Sequence, residues 1–113
     1  MSKVQEMVNQ MPGMFNSARA KGYNRQIQLN LIGDEAGLWW LEIKDQKCVV
    51  HDGKLDNARL ILEMDTKDFL DYFSGKVHPM DLVRSKKMKF TGPMTEGIAF
   101  NAIWNIPVVP QPE

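Results

Sequence analysis

Cysteine is almost missing from this chain: Cys48 is the only one among 113 residues. An internal disulfide framework is excluded, and a reducing compartment is compatible. Histidine is scarce as well, with only His51 and His78. A zinc site would be short of nitrogen and sulfur ligands, so neither a metal nor a cofactor is expected. Cys48 and His51 lie three apart on a predicted strand and point to opposite faces, which disfavours a shared ion or a Cys–His nucleophile. An excess of one charge is also absent, because fourteen basic and fourteen acidic residues cancel. Without a basic surplus, wholesale nucleic-acid binding is not expected. No apolar run approaches the roughly 18 residues that cross a bilayer. The opening MSKVQEMVNQMPG has no continuous apolar core of a secretory signal, and the closing PQPE is neither a prenylation box nor a peroxisomal tripeptide. A cytoplasmic protein is the expectation.

What is present suits one domain spanning residues 1–113, near the usual domain size. Eight methionines stand out. Methionine is unbranched and polarizable, so it fills core gaps or lines surfaces that accommodate several shapes.

The chain opens with helical spacing at Val4, Met7, Val8 and Met11, ended by Pro12-Gly13. Another turn or two follows from Phe15, with Gly22 as the stop. The period then becomes two. Ile27, Leu29 and Leu31 mark a strand, and Trp39, Leu41 and Ile43 a second. Asp45-Gln46 turns tightly into a third, Lys47 to His51, although Gln46 is a poor residue for a positive φ. Leu60, Leu62 and Met64 mark a fourth. Asp65 or Thr66 caps a helix bearing Phe69, Leu70 and Phe73, and Gly75 stops it. Asp65, Asp68 and Asp71 recur at that helix start, where carboxylates complement the dipole. Pro79 starts a helix with Met80, Leu82 and Val83. Lys87 to Thr91 alternates as a fifth strand, and Gly92-Pro93 breaks it. A last helix, from about Met94 to Trp104, has Ile98, Ala102 and Ile103 as its apolar stripe. Hairpin-linked strands with segregated helices indicate an α+β fold, its sheet covered by helices on one face.

Asp68-Phe69, then Gly75-Lys76-Val77-His78-Pro79, then Lys86-Lys87-Met88-Lys89-Phe90-Thr91-Gly92 form a spaced signature. With Trp39 and Ile43-Lys44-Asp45 upstream, the chain resembles the SCP2 sterol-carrier family of nonspecific lipid-transfer domains, from about Arg25 to Asn101. Lys86 and Gln46 each stand where a glycine is usual in that family, so both turns are expected to differ in shape. The resemblance implies a five-stranded, mostly antiparallel sheet with helices on one face. Between the layers it implies an apolar tunnel for a fatty acid, acyl-CoA, sterol or isoprenoid.

In such a tunnel Phe69, Leu70, Phe73, Met80, Leu82 and Val83 would form one wall. Met94, Ile98 and Ile103 would form a lid, and Trp104 with residues 106–109 would gate the opening. Arg84, Lys86, Lys87 and Lys89 form a basic cluster, either a solvated surface or a site of transient contact with anionic membranes. The expected activity is non-enzymatic lipid binding and transfer. The alternative is an accessory module that docks to lipid- or quinone-metabolising enzymes. A hydrolase is disfavoured, since no serine or cysteine has a legible partner pattern.

Overall fold

The computed structural model of the chain describes residues 3–106. The alternating segments pair as three successive antiparallel strands: β1 (Arg25–Ile32), β2 (Gly37–Lys44) and β3 (Lys47–Asp52). β4 (Leu60–Asp65) joins the other side of β1 and runs parallel to it, and β5 (Met88–Thr91) closes the far edge antiparallel to β4. The order is β3-β2-β1-β4-β5, a five-stranded sheet with a single parallel pair.

Register places both residues of alternate pairs on a common face. Ile27 lies opposite both Leu41 and Leu60, Leu29 opposite Trp39 and Leu62, and Met64 opposite Met88. All eight are buried. Four helices meet this face or its edges: α1 (Lys3–Met14), α2 (Thr66–Phe73), α3 (Pro79–Arg84) and α4 (Met94–Ala102). α1 packs on β3 and α2, α2 on β1 and β4, and α3 on β5.

Because β3 and β4 run the same way, residues 53–59 must recross the sheet. They do so over the outer face, where Gln28 ties them down. Its Oε1 accepts from Leu55 N–H at 2.6 Å, and its Nε2 donates to the carbonyls of Trp39 at 3.0 Å and Gly53 at 3.4 Å. Gln28 is thus a buried polar side chain with its hydrogen bonds satisfied.

Local details differ from the sequence pattern in three places. α1 continues through Pro12 to Met14, since a proline in the last turn removes only one helical hydrogen bond. α4 ends at Ala102 rather than Trp104, and its single buried residue is Phe100; Ile98 and Ala102 face solvent. The two non-glycine turns keep glycine-like geometry. Asp45 and Gln46 have φ 53° and 61°, the pair of positive values that a two-residue hairpin of right-handed twist requires. Asp45 N–H donates to Asn24 Oδ1 at 3.2 Å and Gln46 Nε2 to Ser17 C=O at 3.0 Å, which anchors the strained turn. Lys86 has φ 62°.

Candidate functional site

α2 begins where Asp65 Oδ1 accepts from Lys67 N–H at 2.9 Å, so Asp65 and not Thr66 is its cap. The helix then lays Phe69, Tyr72 and Phe73 onto the sheet. Phe73 is 4.6 Å from Tyr72, 5.1 Å from Phe69 and 5.6 Å from Trp104, ring centre to ring centre. Trp104 also meets Phe15 at 5.6 Å and Phe100 at 5.5 Å. Six of the ten residues named for the tunnel wall, lid and gate (Trp104) therefore belong to the packed layer: Phe69, Phe73, Leu82, Ile103 and Trp104 are buried, and Leu70 is half-buried against them. Trp104, expected at the gate, is the centre of an aromatic cluster. Ile106 is half-buried against the core, and residues 107–109 lie outside the described residues.

The other four, Met80, Val83, Met94 and Ile98, meet at a separate cavity of about 400 Å³ between α3, α4, β4 and β5. Leu62, Met88, Phe90 and Phe100 complete its apolar lining, with Pro79, Gly92 and Gly97 contributing backbone. Sequence periodicity missed these because strand residues and glycines give no sign of facing a void. Met80, Met88 and Met94 are three of the eight methionines. The rim is exposed: Met94 is 73% and Ile98 61% accessible.

Two features make the void. Gly97 stands inside α4 facing Phe90, whose ring carbons lie 3.7 Å from where a Cβ would be. Mid-helix glycine costs about 1 kcal/mol relative to alanine; here a methyl would already touch Phe90, so a side chain larger than alanine would extend into the cavity that Gly97 lines. α4 buries only Phe100, so polar contacts hold it in place. Arg25 Nε and Nη2 bind Glu96 Oε2 and Oε1, each at 2.9 Å, and Tyr72 Oη donates to Asn101 Oδ1 at 3.0 Å. The Arg25 hydrogen bond holds the Glu96 carboxyl below its ordinary pKa, and the pair raises that of Arg25.

α3 is capped by His78, whose Nδ1 accepts from Met80 N–H at 3.1 Å. The basic cluster divides. Arg84, at the end of α3, and Lys86 and Lys87, on the turn that follows, are exposed, between the cavity residues Val83 and Met88 in sequence. Lys89 alternates with Met88 and Phe90, so it points to the outer sheet face, across from Glu63.

A larger open groove of about 720 Å³ runs along the sheet end near Arg25, Glu42, Lys44, Arg59 and Glu96. Its charged walls suit an alkyl chain poorly. Cys48 packs toward the core, and burial pushes its thiol up to about 12. His51 faces outward, stacked on Trp40 at 4.1 Å with Nε2 3.1 Å from Glu42 Oε1. Among the described residues no three His, Cys, Asp or Glu side chains gather as a metal site.

The SCP-2 sterol transfer family matches residues 9–104 of the chain. The chain is 32% identical over 94 residues to hydroxysteroid dehydrogenase-like protein 2 of Xenopus tropicalis, covering 82% of this chain and 22% of that protein. It thus spans about a fifth of the length of such relatives. Among solved structures it superposes on palmitated SCP2L2 of Aedes aegypti with a TM-score of 0.67 at 15% identity, covering 90% and 93% of the two chains. Against the stereoselective inverting sec-alkylsulfatase Pisa1 of Pseudomonas sp. the TM-score is 0.77 at 9% identity, over 93% of this chain and 16% of that one.

Proposed function

Because the chain belongs to the SCP-2 sterol transfer family, we propose that it binds the apolar body of a lipid reversibly in the α3–α4 cavity, with no covalent step. The observation that carries this reading is an apolar void bordered by exposed Met94 and Ile98 on one side of an otherwise filled core. Each methylene moved from water into such a space contributes about 0.8 kcal/mol, and ordering the chain offsets part of that. Fatty acid, acyl-CoA, sterol and isoprenoid share the chemistry. Methionine side chains can repack around each of them.

Gly97→Leu tests the reading. It fills the void and removes a helix-interior glycine, so uptake of an uncharged fluorophore should fall by at least about tenfold while the melting temperature holds or rises. Unchanged uptake by the folded variant would place the lipid elsewhere.

Delivery would be by transient contact with an anionic membrane, favoured by the exposed Arg84, Lys86 and Lys87, which lie between the cavity residues Val83 and Met88 in sequence. Replacing the three cations with serine should abolish sedimentation with phosphatidylserine vesicles, and sedimentation that survives would refute this route. A second reading, an accessory module serving a lipid- or quinone-metabolising enzyme, is favoured by relatives in which the matched segment is about a fifth of a dehydrogenase-like protein. A module that only docks would take up no fluorophore, and Gly97→Leu would leave its enzyme contact intact.

A further inference from the structure

The cavity has its polar side chains in few places, and two of them touch. Tyr72 is 2% exposed, and its hydroxyl gives its only proton to Asn101 Oδ1. The phenol oxygen keeps its lone pairs, and Asn101 Nδ2 keeps two N–H donors. Burial pushes the Tyr72 pKa well above its ordinary value, so the phenol stays neutral. The third polar side chain, His78, has its Nδ1 engaged by Met80 N–H. Among the described residues no Lys, Arg, Asp or Glu lines the cavity.

We infer that Tyr72 and Asn101 form a head-group anchor that selects an uncharged oxygen-headed lipid, an alcohol or a ketone, over a carboxylate. This rests on the cavity being the lipid site. An alcohol oxygen accepts from one Asn101 Nδ2–H while its own O–H donates to Tyr72 Oη, so the head group both accepts and donates. A ketone makes the first bond only. A carboxylate also accepts from Asn101, but it faces the phenol lone pairs and meets no cation, and a buried charge without a partner is strongly disfavoured. A carboxylate lipid is therefore left to bind with its head in solvent; Lys86 and Lys87 are exposed just before the cavity residue Met88.

The test is displacement of N-phenyl-1-naphthylamine by 1-decanol, 2-decanone and decanoate at neutral pH. The unaltered chain, Asn101→Leu and Tyr72→Phe are compared. Asn101→Leu should weaken decanol and decanone by about fivefold relative to decanoate, the size of one neutral hydrogen bond. Tyr72→Phe, which keeps the ring, should weaken decanol but not decanone. Fluorophore uptake with the same three-ligand ranking in all proteins would overturn the anchor alone. A chain that takes up no fluorophore at all would overturn the cavity reading and the anchor together.

Discussion

Over β1 and β4 the sheet is sealed by α2, whereas beside β5 it is left open by α3 and α4. The sealed side uses stiff rings, with Phe73 in contact with Phe69, Tyr72 and Trp104. The open side uses methionines, a glycine and one aromatic anchor, Phe100. Both halves share one apolar sheet face, so sheet pattern alone cannot decide which side holds a void. What differs is how the covering helices are retained. α2 is held by three buried aromatic rings; α4 has one, Phe100, with an ion pair near its start and a hydrogen bond near its end.

The strongest way to break the comparison is at Phe73, which is 1% exposed. Phe73→Ala should cost about 3–5 kcal/mol in urea denaturation, as large-to-small changes in filled cores do. Phe73→Asp should prevent folding rather than block lipid entry, because the carboxylate would sit among rings and not in the cavity. A loss below about 1 kcal/mol for the alanine variant would mean that the sealed side is not sealed.

A smaller effect sharpens the same contrast at the ends of α2 and α3. Both helices close with the same hydrogen bonds: Lys76 N–H to Asp71 C=O at 2.9 Å and Gly75 N–H to Tyr72 C=O at 3.1 Å in one, Lys87 N–H to Leu82 C=O at 2.8 Å and Lys86 N–H to Val83 C=O at 3.1 Å in the other. The left-handed position is Gly75 in the sealed half and Lys86 in the open half, with φ 82° and 62°. A side chain there costs about 1 kcal/mol, so Lys86→Gly should stabilise the protein by roughly that amount in thermal unfolding. A variant that is less stable would show that Lys86 makes a compensating contact.

The sheet was legible in the sequence because alternation is local: Ile27, Leu29 and Leu31 declare a face before any partner is known. That β4 pairs parallel with β1 was not, since pairing depends on residues 53–59 recrossing the outer face through Gln28. The cavity was half legible. The α3 and α4 residues Met80, Val83, Met94 and Ile98 were found by helical spacing, but the same spacing also swept in Phe69, Phe73 and Leu82, because a stripe facing a void and a stripe facing a core read alike. The anchor pair was invisible, as Tyr72 and Asn101 are 29 residues apart and meet only once α4 closes over α2.

The smallest effect concerns the clasp that holds α4 to β1. Hydrogen bonding to Arg25 depresses the Glu96 pKa in the folded chain. Its stabilisation is therefore fully present above the ordinary carboxylate range, about 4.3 for glutamate, and is lost as pH falls through the lower folded value. Arg25 remains 40% exposed, so solvent screening limits the contribution to below about 1 kcal/mol. Glu96→Gln should lower stability by that modest amount at neutral pH, and the gap between the two proteins should close once pH falls below the depressed folded value, where both lack the charge. Release of a bound fluorophore should be faster in the variant at neutral pH and equal in both at low pH. A gap that persists at low pH would assign the effect to packing around Glu96. Equal release rates at neutral pH would show that Phe100 and the Tyr72–Asn101 bond alone hold the open half shut, and the contrast between a helix held by burial and a helix held by charge would fail.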